Sequence, residues 1–202
     1  MTLLIAENET PDSIRDFWFG ASQDDATVAA EQSSLWWTKH PDTDRRIRER
    51  FEPWLQKAAA GELDHWAAMP RGRLALILLT DQFPRNMYRN TPQAFAFDAL
   101  ARRWCMEGLR DGADRQLRPI ERVFFYLPLE HAESLEDQER AVSLFRALAE
   151  QAGPGFDGYL NYAIRHRDVI ARFGRFPHRN RILGRVSTPE EAAFLTEPGS
   201  SF

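Results

Sequence analysis

The chain has 202 residues, 43% hydrophobic and 28% charged, which suits one domain (1–202) with a sizeable core and excludes a disordered polymer. A net charge of -4 makes nucleic acid an unlikely partner, and no run of about 18 apolar residues offers a membrane span. Cys105 is the sole cysteine, so neither an intrachain disulfide nor a cysteine-based zinc site can form, in keeping with a reducing cytoplasm.

The opening residues, MTLLIAENETPD, lack the basic flank and small-residue cleavage site of a secretory signal. Thr10-Pro11 reads as an N-cap and first-turn proline; Ile14, Phe17 and Trp18 then share a face until Gly20 stops the helix. A second helix carries Leu35, Trp36 and Trp37. A third starts at Asp42 or Thr43, turns Ile47, Phe51, Trp54 and Leu55 inward, and should kink or divide at Pro53. A short helix spans Glu62 to Ala68. The most hydrophobic helix runs from Arg71 to about Phe83, where Pro84 should end it.

Thr91-Pro92 should begin a helix that buries Phe95, Leu100 and Trp104 and ends at Gly108 or Gly112. Pro119 starts another, with Val123, Phe124 and Leu127. Ser134 and Asp137 resemble a capping box ahead of a stripe of Val142, Phe145 and Leu148. Beyond the Gly153-Pro154-Gly155 break, a helix from about Asp157 to Arg172 presents Tyr159, Tyr162 and His166. Thr188, Pro189 and Glu191 cap a final short helix, and the Pro/Gly-rich end from Glu197 to Phe202 should fray. No stretch alternates long enough to make a strand. The expected fold class is therefore all-α, antiparallel helices joined by short loops.

Two corners interrupt this regularity. QFPRN at 82–86, with Arg89 and Thr91-Pro92 behind it, echoes RFPHRN at 175–180, with Arg185 and Thr188-Pro189 behind it. The stretch from Arg165 to Arg185 holds seven arginines and two histidines against one acid, Asp168. Guanidinium groups grip carboxylates and phosphates through paired N–H donors. Arg85, Asn86, Arg89, Arg175, Arg179 and Asn180 are thus candidate ligands for a small anion. The same arginines could instead clamp Asp81, Asp98, Glu190 and Glu191, and both roles can coexist.

His131 in LPLEH, His166 and His178 are candidates for proton transfer, with Asp81 and Glu130 as carboxylates close by in sequence. None of the histidines has the close ligand spacing of a metal motif, so no metal site is assigned, and a hydrogen-bonded structural role is the plainer alternative. His40 and His65 look peripheral. His166-Arg167-Asp168 spells the kinase triplet, but Phe173 stands where that loop needs Asn. There is no phosphate-binding loop, dinucleotide fingerprint or nucleophile elbow.

The segments LALILLTDQFPRNMYRNTPQAFAFDALA and HRDVIARFGRFPHRNRILGRVSTPEEAAFL, together with FWFG and FFYLPLEHAESLEDQ, resemble the bacterial family called domain of unknown function 924. One departure is Ala132, where a small hydroxyl residue is expected after His131. The resemblance implies a tetratricopeptide-like helical array and brings no established activity, catalytic residue or cofactor. Three functions stand open: a pocket for an anionic small molecule formed by the two corners and LPLEH, an interaction scaffold for a protein partner, and a metal-dependent hydrolase requiring His131 and His166 on one metal. The first is favoured if both corners face one cavity.

Overall fold

The computed structural model describes residues 8–201. The apolar run Leu3–Ile5, read as neither signal nor anchor, lies outside these residues, as does Phe202. Among the described residues every element is helical, and no helix is long and apolar enough to cross a membrane.

The helix starts follow local chemistry. In α1 (Pro11–Phe19) the Thr10 hydroxyl accepts the Ser13 N–H, and the Ser13 hydroxyl accepts the Thr10 N–H, so two otherwise orphaned amides are satisfied at once. In α2 (Asp25–Trp37) Asp24 caps the Thr27 amide. Ile14, Trp18 and Phe19 of α1 are buried, and Trp36 of α2 donates its indole N–H to the Trp18 carbonyl at 2.9 Å. Trp37 is 54% exposed, lying over Phe124.

In α3 (Pro41–Ala59) Ile47, Phe51, Trp54 and Leu55 face inward, as their spacing predicts. Pro53 does not divide the helix, which runs through it as one element. It sits on the exposed face, where the Glu49 carbonyl deprived of an N–H partner can turn to water.

The second proline expectation also needs correction. After a 3₁₀ turn at Asp64–Ala68, α4 (Pro70–Ile77) does not stop at Pro84. It widens into a π turn over Leu78–Gln82 and continues as α5 (Phe83–Met87). Phe83 N–H bonds back to the Leu78 carbonyl, and the wider turn accommodates the proline ring at the next position. All five residues of the π turn are buried.

The segment opened by Thr91-Pro92 is a 3₁₀ turn, Pro92–Phe95, and only then α6 (Asp98–Asp111). Phe95 and Leu100 are half-buried, whereas Trp104 is buried as expected. Next come α7 (Pro119–Glu130), α8 (Leu135–Ala152), α9 (Asp157–Phe173) and α10 (Pro189–Phe194). A reciprocal cap between Thr188 and Glu191 starts α10. The end of the chain folds back: Arg165 donates to the Gly199 carbonyl at 3.0 Å, and Ser200 is buried.

α4 and α7 form the centre. α1 and α6 pack on α4, while α2, α4, α6, α8 and α9 pack on α7. Phe124, Phe125 and Tyr126 of α7 are all fully buried, which leaves no polar face on that stretch. α4 approaches its neighbours so closely that two positions exclude a side chain. A Cβ on Gly72 would lie 2.1 Å from the Trp66 carbonyl oxygen, and one on Gly108 would lie 2.5 Å from both Arg73 Cδ and Phe125 Cζ.

Gly108→Ala should therefore lower stability by about 1–3 kcal/mol, the usual cost of overpacking. Gly155→Ala, where nothing lies within 4 Å of the added methyl, should stay within about 0.5 kcal/mol. Urea denaturation of the two variants checks the contrast; equal effects would contradict the close approach of α4, α6 and α7.

Candidate functional site

The π turn places Asp81 inside the protein with no exposure. Each of its carboxylate oxygens has a donor. His131 Nδ1, at the end of α7, lies 2.8 Å from Oδ1, and Gln82 Nε2 donates to Oδ2 at 2.5 Å. Arg85, one turn on, sits 3.3 Å from Oδ1 and donates to the Asp81 carbonyl at 2.6 Å. Burial alone would raise the Asp81 pKa, but Arg85, His131 and Gln82 outweigh it and hold the group well below the usual carboxylate range. Burial, with Arg85 beside it, lowers the His131 pKa. The pair is thus a carboxylate and a neutral imidazole whose Nδ1–H points at Asp81.

Arg85 and Arg179 meet at Asp98, the first residue of α6. Arg85 forks onto it at 2.8 and 3.1 Å, and Arg179 Nη1 reaches it at 3.5 Å. The QFPRN and RFPHRN corners are thereby brought together. Arg179 is 6% exposed, and its guanidinium carbon lies 4.6 Å from the Phe95 ring centre and 4.5 Å from that of Phe176. Its Nε is buried without a hydrogen-bond partner. Burial, then the nearby Arg85 charge, brings its pKa down to about 10.

Between these groups lies a cleft of about 550 Å³, whose lining includes Phe95, Asp98, Pro128, His131, Glu133 and Arg179. Ala132, in place of the expected hydroxyl residue, also lines it, so this stretch of wall is a methyl group.

The other candidates lie around this centre. Glu130 Oε1 and His166 Nδ1 are 3.2 Å apart, with the imidazole nitrogen also 2.9 Å from the Tyr162 carbonyl. Burial raises Glu130 to about 8 and lowers His166 to about 3, so this is a contact between neutral groups, not an ion pair. The His131 and His166 rings are 6.3 Å apart, and Phe176 lies between His166 and His178, at 5.6 and 5.5 Å. Burial, then the Arg179 charge, lowers His178 to about 4. Among the described residues, no group of three or more His, Cys, Asp or Glu side chains is placed to hold a metal ion.

Four predicted ligand residues have partners of their own outside the cleft. Asn86 and Arg89 both reach Asp44 of α3, at 2.9 and 2.5 Å. Arg175 forks onto Glu191 at 2.6 and 2.8 Å, holding that carboxyl down to about 2. Asn180 donates to Ser187 and Glu191 and accepts from Arg185. Glu133, which the sequence did not single out, fastens the second corner: it accepts the Phe176 N–H at 2.8 Å and both arms of Arg185. Its only sequence signal is its place two residues after His131. Phe95 was legible as apolar, but not as a wall stacked against arginine.

Asp81→Asn should cost about 1.5–3 kcal/mol in urea denaturation, because it removes the ionised acceptor shared by His131, Gln82 and Arg85, while Arg85 keeps Asp98. The buried titrating groups also set a stability profile. His166 and His178 resist protonation when folded, so they destabilise the fold as pH falls below about 6.5 toward 3–4. Glu130 keeps its proton when folded, so it subtracts stability as pH rises from about 4.5 to about 8. Glu130→Gln should therefore gain stability relative to the parent as pH is raised from 5 to 8. Melting curves across that window check it; a constant difference would contradict a protonated Glu130.

The comparisons with known proteins agree in extent. A solved structure of a protein of unknown function from Agrobacterium tumefaciens is 40% identical, covers 92% of this chain and 96% of its own, and superposes with a TM-score of 0.79. A comparison with curated proteins gave no match. The family model described as a bacterial protein of unknown function (DUF924) matches residues 14–199, and the chain belongs to that family.

Proposed function

We propose that the cleft lined by Arg179 of the second Phe-Pro corner, the start of α6 and the end of α7 is a binding site for a small anionic molecule, with Arg179 as its anchor and His131 as the proton-transfer group. The QFPRN corner lends it no wall residue and acts only through the hold of Arg85 on Asp98. One observation carries this reading. Arg179 is buried at the cleft wall, yet of its five N–H donors only one has a contact, and that one is long at 3.5 Å. Burying a guanidinium is costly unless its donors are met, so one held only by a long contact with Asp98 beside a cavity is a place where a ligand can supply what the fold does not.

The other candidate arginines of the two corners, and Arg185 behind the second, have close acceptors: Arg85 has Asp98 and Asp81, Arg175 has Glu191, Arg185 has Glu133, and Arg89 has Asp44. Arg85 serves the site through Asp98, which it holds in place. His131 commits Nδ1–H to Asp81, so Nε2 carries the lone pair, the state required of a general base near neutral pH. Glu130 and His166 pack behind it as neutral groups and position the ring. Arg179, His131 and their supports come from three separated parts of the chain, an arrangement that fits a site better than a chance surface cluster. The succession of packed helices α7, α8 and α9 supports the tetratricopeptide-like kinship, and the lone buried cysteine fits a cytoplasmic setting.

A thermal-shift screen of carboxylated and phosphorylated metabolites and of divalent metals tests the reading. At least one anion should raise the melting temperature by several degrees, and Arg179→Ala should abolish that shift. His131→Gln should retain binding while removing any associated turnover. Anion shifts that survive Arg179→Ala would place the site elsewhere.

A further inference from the structure

Resting on the anion-binding reading of this cleft, we infer that its occupant is a singly charged carboxylate carried on an apolar body, in preference to a phosphate ester. Three observations converge. The first is the shape of the exposed part of the anchor. The Phe95 and Phe176 rings both lie against the Arg179 guanidinium, at 4.6 and 4.5 Å, and with that much of it taken up by rings a ligand is expected to meet it along its N–H edge. A planar carboxylate suits that approach, because its two oxygens can lie in the plane of the N–H donors.

The second is charge. Arg85, forked onto Asp98, and Arg185, forked onto Glu133, do not line the cleft, so among the described residues Arg179 is the cleft-lining cation with unmet donors. The other cation on the lining, Arg102, forks onto Asp137 at 2.7 and 2.8 Å. The carboxylates of Asp98 and Glu133 also line the space and would repel the second charge of a phosphate monoester. A phosphate site would instead present several uncommitted donors or a helix start. Here a single guanidinium, its one acceptor Asp98 held at 3.5 Å, offers donors enough for one carboxylate.

The third is the rest of the wall. Pro92, Ala96, Ala99, Pro128, Ala132 and Leu183 supply it, none with a side-chain hydrogen-bonding group. A cleft of about 550 Å³ is far larger than a carboxylate alone needs and falls within the range of sites that bury a whole small molecule. Apolar walls gain from covering a hydrocarbon or aryl group and offer nothing to a sugar or polyol. His131, at the same lining, would then face the body of the bound acid.

Isothermal titration of the full chain at pH 7.5 with four probes tests this: 4-phenylbutyrate, its neutral amide, phenyl phosphate and inorganic phosphate. 4-Phenylbutyrate should bind at least tenfold more tightly than the other three. Arg179→Lys, which keeps the charge and loses the planar edge, should weaken it at least tenfold. Ala99→Phe, which fills the apolar wall and leaves every charge in place, should do the same, with circular dichroism confirming that both variants keep their helices. Phenyl phosphate or inorganic phosphate binding as tightly as the carboxylate would overturn the carboxylate inference while leaving an anion site standing. Equal binding of the amide would remove Arg179 from the recognition and overturn both readings, as would no binding by any probe.

Discussion

Asp81 is the group on which the arrangement depends. A carboxylate with no exposure is tolerable only if its charge is kept and every oxygen is met by a donor; otherwise its burial costs several kcal/mol. The donors come from its own turn (Gln82), from one turn further (Arg85) and from the far end of α7 (His131). Satisfying one carboxylate thus fixes the π turn, the direction of Arg85 and the tautomer of His131 together. Arg85 in turn positions Asp98, and Asp98 is the meeting point for Arg179 from the opposite end of the sequence.

The second corner is built by the same device with different carboxylates. Glu133 and Glu191 accept from Arg185, Arg175, Asn180 and backbone amides, and so tie the loop after α9 to both α7 and α10. Gly174, at φ 69° in the left-handed region, lets the chain turn out of α9 into this loop without the strain a side chain would add. The corner is therefore held by several charge-assisted hydrogen bonds independent of any ligand, which is what the proposed site would need. High arginine content here is mainly a clamping device. The anion affinity we propose would belong to Arg179, whose only acceptor is distant.

The layer behind the cleft is of another kind. Glu130 and His166 are buried close together, but burial pushes both to their neutral forms. Two ionisable side chains beside Asp81 and His131 therefore add hydrogen-bonding shape without adding a field that would compete with the Asp81–Arg85–Asp98 sequence of charges. Asp81, Arg85, Asp98 and Arg179 balance one another in charge, and what Arg179 retains is unmet N–H donors, not surplus charge.

Sequence by itself determined the helical class and most helix starts, because a cap such as Thr10-Pro11 or Thr188-Pro189-Glu191 is chemistry within four residues. It also drew attention to QFPRN, RFPHRN and LPLEH, since arginine, asparagine and histidine at proline corners break an otherwise periodic pattern. It did not foresee that α3 stays undivided at Pro53 or that the helical path continues past Pro84. Whether Pro53 breaks a helix depends on which face it occupies, and whether Pro84 does depends on a π turn that is stable because Asp81 finds partners elsewhere. Tertiary structure alone decided which arginine is spare. Arg85, Arg89, Arg175 and Arg179 are alike in sequence; they differ only in whether a carboxylate 13, 45, 16 or 81 residues away lies within reach, and for Arg179 that reach is long.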